Sequence, residues 1–298
     1  MIDLTIHLNL ITTGILLGLV YSLIAMGIAI IFKTTKVVNF SQGMLATLGA
    51  YITLFGIDNL GLPIWAAVLF SLAVGVVLAI TLERVVLRQF IGEPILSVII
   101  VTLSLAAIFR AIAMLGWGTV FVRFPKLFGA GALRIGEVSL VYEYLTGAAV
   151  ALAYMGGLAL FFRKTVLGAA LRAVSEDHMA ATAMGISVKR STTMAWALGI
   201  LTSIVGGVLL ASNYGGVSLI IEYTGVIVLP AVILGGLDSI PGAVVGGVIV
   251  GVLEVYGVYY MEELVYSGFG RVFPLLVMLF VMLVKPYGLW GTERIERV

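Results

Sequence analysis

The stretch Leu10–Phe32, LITTGILLGLVYSLIAMGIAIIF, runs for 23 residues without a charged side chain. As a helix it reaches about 35 Å, enough to cross the roughly 30 Å hydrocarbon core of a bilayer. Soluble domains carry about a quarter charged residues. This chain of 298 residues carries 11%, against 61% apolar. A soluble core cannot bury that much apolar side chain, so the bilayer must be the solvent. The chain reads as an all-α, polytopic membrane helix bundle, one domain over residues 1–298.

Eight further apolar stretches follow: Val37–Ile57, Pro63–Leu82, Ile95–Gly116, Tyr144–Phe162, Ser191–Ala211, Glu222–Leu237, Gly242–Glu262 and Val272–Val284. About nine spans result; eight, or ten with a re-entrant piece, also fit. Nine crossings with the N-terminus outside put 12 of the 17 basic residues on the inner side, among them Lys33, Lys36, Arg84, Arg88, Lys285, Arg294 and Arg297. The positive-inside rule then favours N-out, C-in. The opening MIDLTIHLNL has no Lys or Arg, so it lacks the basic region of a signal peptide and reads as the start of a retained span.

Two spans are weak. Gly43 to Ile57 alone would reach only about 22 Å, which draws Asn39, Ser41 and Gln42 into the membrane profile. Asn and Ser there are suited to cap a helix start that attracts an anionic group, and a loop ending in an ordinary N-cap fits them equally. Glu222–Leu237 is short, contains Pro230 and runs into a glycine-rich turn. Paired interrupted helices in two halves point to a translocation site and an inverted repeat; dividing the chain at residues 163–190 leaves five spans and then four. Glu254, in mid-span, is a candidate for the pathway or for a polar tie in the bundle. Arg110 lies at a depth from which it either pairs with Glu254 or snorkels outwards. Gly14/Gly18, Gly242/Gly246 and Gly247/Gly251 have the spacing of close helix contacts, within the chain or between subunits.

The chemistry of an enzyme is missing. The chain has no cysteine, hence no disulfide or thiolate site. His7 and His178 are far apart, and there is no HExxH, GxSxG or GxxxxGK[ST]. No metal, cofactor or nucleic-acid partner is expected, and any ATP hydrolysis must come from another chain.

One polar, basic segment breaks the apolar pattern: Arg163–Arg190, RKTVLGAALRAVSEDHMAATAMGISVKR. LGAALRAV and SEDHMAATAMGI read as two short amphipathic helices, the second capped by Ser175 with Glu176 and Asp177 in its first turn. Met179, Ala183 and Ile186 recur at helical spacing as a docking face. The other reading is a solvated loop lying on its own bundle.

RAVSEDHMAATAMGI resembles the cytoplasmic coupling loop of ABC-importer permeases of the branched-chain amino acid type. Ala180-Ala181-x-x-x-Gly185 is similar to the Ala-Ala-x-x-x-Gly part of the EAA loop, with Met179 where the wider pattern has Glu. GLVYSLIAMGIAIIF with VVNFSQGMLATLGAY resembles the family's opening, AVILGGLDSIPGAVVGGVIVGVLE its glycine-rich signature and VMLVKPYGLWG its close, so the resemblance spans nearly the whole chain. It is nearest to the H-type subunit. The resemblance implies a multi-pass subunit of the bacterial or archaeal cytoplasmic membrane. It also implies a sister permease subunit, two cytoplasmic ABC ATPase subunits and an extracytoplasmic substrate-binding protein. Glu176, Ala180, Ala181 and Gly185 would carry coupling; Asn39, Ser41, Gln42 and Glu254 would line the pathway. The rival reading is an autonomous channel or an ion- or proton-coupled transporter using Glu254.

Overall fold

Each of the nine apolar stretches forms a helix in the computed structural model, which describes residues 2–90, 93–129, 131–265 and 268–291. Arg294 and Arg297, counted above on the inner side, lie outside these residues. The helices are α1 (Ile2–Thr35), α2 (Gln42–Asp58), α3 (Ile64–Val85), α4 (Ile95–Trp117), α5 (Tyr142–Lys164), α6 (Val166–Glu176), α7 (His178–Ala183), α8 (Val188–Tyr214), α9 (Ile220–Gly235) and α10 (Ile240–Tyr256). A π-helical turn, Gly257–Met261, continues α10 into the single turn α11 (Glu262–Leu264), and α12 is Phe273–Val284. Among the described residues six helical stretches, α10 counted through α11 to Leu264, are long and apolar enough to cross a membrane. The three remaining stretches give α2, α9 and α12, of 17, 16 and 12 residues.

Hydropathy periodicity is weak along the spans because a membrane helix is apolar all round; small residues decide which faces meet. Helices α1 and α8 form the centre of the bundle and cross antiparallel. Gly27 on α1 lies against the Gly199 carbonyl, and Gly206 lies against Ile24. Gly14 and Gly18 receive Val252 and Val248 of α10, and Gly251 packs on Gly18. The spacings Gly14/Gly18 and Gly247/Gly251 therefore join α1 to α10 inside this chain, and Gly242/Gly246 joins α10 to Gly235 and Ala231 of α9. On α3, the stripe Ala67, Ser71, Gly75, Ala79 is buried while the rest of the helix is largely exposed.

The contacts show an inverted repeat. α1 packs on α10 as α8 packs on α3; α2 packs on α3 and α4 as α9 packs on α10 and α12. The pairs α1–α8 and α2–α9 meet across the pseudo-twofold axis, where Gly43 and Gly225 touch back to back. The unit is α1–α4 against α8, α9, α10 and α12, so four helices and not the odd number that the five-and-four division suggests. α5 stands between the two units in the chain, and α1 and α8, which open them, run antiparallel.

One end of the bundle carries α6 and α7. The opposite end carries the antiparallel hairpin β2 (Ala132–Ile135) and β3 (Val138–Val141). A second short ladder there joins β1 (Val122–Arg123) to β4 (Gly216–Val217), so the segment before α5 is pinned to the segment before α9. Asn9 Oδ1 accepts the Ser139 N–H, and the Thr5 hydroxyl donates to Glu137, seating the hairpin on α1.

Candidate functional site

The polar segment after α5 folds as two helices held by side-chain caps. Thr165 Oγ1 accepts the Gly168 N–H at 2.9 Å and opens α6. Asp177, not Ser175, opens α7: its Oδ1 accepts the N–H groups of Met179 and Ala180 at 2.7 and 2.9 Å. Ser175 lies inside the last turn of α6, donating to the Arg172 carbonyl. Glu176 ends α6, so Glu176 and Asp177 straddle the break and do not share a first turn. One side-chain oxygen of Asp177 thus satisfies two of the N–H groups that a helix start leaves without partners.

Gly185 closes α7 at φ 78°, a left-handed conformation that residues with a Cβ adopt at a cost. The Ile186 N–H reaches back to the Ala181 carbonyl and the Gly185 N–H to Thr182, an αL stop of the Schellman kind. Ser187 then caps α8. Four residues thus reverse the chain from α7 into a spanning helix.

Inner-face residues Leu171, Val174 and Ala181 are buried, and two polar contacts tie the segment to the end of α1. The Lys33 ammonium lies 3.7 Å from Glu176, and His178 Nε2 lies 2.9 Å from the Thr34 carbonyl. The outward face mixes exposed apolar side chains, Met179 at 83%, Met184 at 82%, Val166 and Leu167, with the polar Arg172, Glu176 and Thr182. Ala180 and Ala183 are also exposed, and Ile186 is half-buried. Two methionines thus stand exposed on capped helices, and a Met side chain is unbranched and adaptable in packing. Nearby, the buried Glu83 carboxylate accepts from Arg88 at 2.8 Å and from the Thr193 hydroxyl at 2.8 Å, tying the end of α3 to the start of α8.

Asn39, Ser41 and Gln42 are buried together where α2 begins. No side chain caps α2. Instead Asn39 Oδ1 accepts both the N–H and the hydroxyl of Ser41, Asn39 Nδ2 donates to Gln42, and Gln42 Nε2 donates to the Gly199 carbonyl at 2.9 Å. The network closes on itself, so it locks the broken chain to α8 and leaves the helix start unshielded by side chains. Gly199 is the twelfth residue of α8, about 16 Å from that helix's start. The break therefore lies at mid-bundle depth.

Glu254 is buried between α1, α5, α8 and α10. Its neighbours include the hydroxyls of Tyr21 and Tyr214, themselves 3.3 Å apart, with Arg271 near enough to act on it by charge, and Oε2 has no partner among the described residues. It does not meet Arg110. Arg110 pairs instead with Glu222, at 2.6 Å from Nη2 and 3.2 Å from Nε. The sequence reading missed Glu222 because it took that residue for the edge of a span. A 16-residue helix cannot cross from edge to edge, and that shortness was the available signal that its first turn lies within the membrane.

The profile of the family described as branched-chain amino acid transport system / permease component matches residues 10–282. The chain is 28% identical to the high-affinity branched-chain amino acid transport system permease protein LivH of Salmonella typhimurium, over 96% of each chain. It is 27% identical to the corresponding BraD protein of Pseudomonas aeruginosa over 98% of each. A probable LivH of Methanocaldococcus jannaschii is 30% identical over 91% of this chain and 88% of that one. In fold, the chain is similar to a chain of PsaBC from Streptococcus pneumoniae solved with a Fab, with a TM-score of 0.51 over 96% and 97% of the two chains and 17% identity. Motifs, helix order and a family match running nearly end to end agree: this multi-pass membrane protein belongs to the permease component family of branched-chain amino acid transport systems.

Proposed function

We propose that this chain is a permease subunit of an ATP-driven ABC importer in the cytoplasmic membrane, carrying branched-chain amino acids or related small polar solutes. The observation that carries the reading is the family match over residues 10–282, joined to a capped helix pair with exposed methionines at one end of the bundle. In this reading the end with α6 and α7 faces the cytoplasm. Two ATPase subunits hydrolyse the ATP and a sister permease completes the route. An extracytoplasmic binding protein delivers the solute.

The exposed Met179, Met184 and Ala180 meet the ATPase, and Glu176 sits at the rim on Lys33. Ala181 packs inwards and Gly185 fixes the reversal into α8, so a push on α7 moves α8 and, through Gln42–Gly199, the start of α2. Asn39, Ser41 and Gln42 hold the broken helix beside the route. Glu254 holds α10 against Tyr21 of α1 on the other side of the bundle.

Reconstitution of the assembled transporter into liposomes tests this. Leucine uptake should require ATP on the ATPase side and loaded binding protein on the other, and should survive collapse of ion and proton gradients. Gradient-driven uptake without ATP, lost on Glu254→Gln, would replace the importer by a secondary transporter.

A further inference from the structure

The Arg110–Glu222 pair lies deep in the bundle and faces outward from it. Arg110 is 15 residues past Ile95, the first residue of α4, and so about 22 Å along it. Glu222 is reached by a second ruler. Its carbonyl lies where a Cβ on Gly43 would stand, at the start of α2, and that start is fixed to Gly199 midway along α8. Both rulers put the pair inside the apolar layer. Yet the Arg110 side chain is 47% exposed and the Glu222 side chain 16%.

Charged side chains at that depth face a bundle interior or a water-filled cavity, not lipid tails. Among the described residues about half of the Arg110 side chain stays uncovered. Its Nε and Nη2 both donate to Glu222 Oε1, and Nη1 has no acceptor among the described residues. Tyr223, 58% exposed, stands beside it. The face made by α4 and the start of α9 therefore presents a fixed, pre-oriented N–H donor of a cation whose partner carboxylate uses up only two of its nitrogens. A planar guanidinium in that state suits a carboxylate, which it meets with directional hydrogen bonds.

We propose that Arg110, positioned by Glu222, is a carboxylate-recognising station on the wall of a water-filled route along the α4–α9 face. The assignment rests on the permease reading above and adds to it a face, a depth and a ligand chemistry. A small amino acid offers the carboxylate, and Tyr223 offers an aromatic wall for its apolar part.

The chain has no cysteine, so single cysteines report water directly. In the assembled transporter, Tyr223→Cys should react with a membrane-impermeant methanethiosulfonate at least roughly tenfold faster than Leu69→Cys on the outer face of α3, and millimolar leucine with ATP should slow it. Arg110→Gln should lower leucine uptake roughly tenfold or more while ATPase stimulation by loaded binding protein stays within about twofold. The reversed pair Arg110→Glu/Glu222→Arg rebuilds the ion pair without the cation in place, and uptake should stay low. Equal labelling at both cysteines, or wild-type uptake in the reversed pair, would overturn the proposal and reduce the pair to a structural tie. Absence of ATP-dependent uptake in the unmodified transporter would instead sink the permease reading, and this station with it.

Discussion

Gly43→Ala is the smallest change that tests how the two broken helices meet. A Cβ at Gly43 would stand 2.7 Å from both Cα and N of Gly225, and closer still to the Glu222 carbonyl oxygen. Ordinary contacts of such an atom lie at 3.4–4 Å, so the α9 backbone would have to withdraw by about 1 Å. Backbone has no rotamer to yield, which puts the cost near the top of the range for overpacking, about 2–3 kcal/mol. Gly43 is the second residue of α2, where the gain in helix propensity is too small to offset that. For a chain of this size about 2 °C of melting temperature goes with each kcal/mol, giving a drop of about 4–6 °C. The control is Gly157→Ala, with no atom within 4 Å. It sits in mid-helix and should raise stability by about 0.5–1 kcal/mol. Thermal melting of the purified assembly, followed by tryptophan fluorescence, compares them. Equal shifts, or a Gly43→Ala protein that melts with the unmodified one, would refute the back-to-back contact.

Three further outcomes are expected. Asp177→Ala removes the cap of α7 at a cost of about 1 kcal/mol, so amide exchange at Met179 and Ala180 should speed up roughly fivefold, whereas Asp177→Asn should change it little. Gly185→Leu forces a Cβ into φ 78°, a strain of about 1–2 kcal/mol, and should abolish stimulated ATP hydrolysis while membrane insertion persists; Gly185→Asn, which tolerates that conformation, should keep most of it. Unchanged stimulation in Gly185→Leu would refute the coupling role. Glu83→Ala leaves Arg88 and Thr193 without their acceptor. Arg88 is 35% exposed, so the loss should fall at the low end for a broken buried pair, about 3 kcal/mol, seen as a melting temperature about 6 °C lower; a change under about 1 °C would show the tie to be idle.

Much of this fold is written in plain composition. Charge-free stretches of some 20 residues read as helices, because a bilayer admits only helices and closed barrels, and a barrel strand crosses in about 10 residues. The break before α2 was legible for the same reason: Asn39, Ser41 and Gln42 fall where an apolar helix would otherwise run, and what remains is too short to cross. The repeat was harder. Its equivalences live in which helix touches which, and in glycines such as Gly43 and Gly225 whose partner is another backbone; a sequence does not name that partner. Caps turned on a single position. Ser175 and Asp177 both suit a helix start, and burial of Leu171 and Val174 extended α6 through Ser175, leaving Asp177 at the break. The Arg110–Glu222 pair was hidden by the assumption that a span begins at the membrane edge. Distances between charges on different helices follow from packing, so neither Glu254 nor Glu222 could be chosen as the partner beforehand.

The measurement that bears most directly on the permease account is purification of the tagged chain from its native membrane in mild detergent, with mass spectrometry of what accompanies it. The account predicts two ATP-binding-cassette subunits and a second, related permease in stoichiometric amounts, with recovery of the ATP-binding-cassette subunits reduced when Met179 and Met184 are both replaced by Asp. A folded chain that emerges alone, or only as copies of itself, would contradict it.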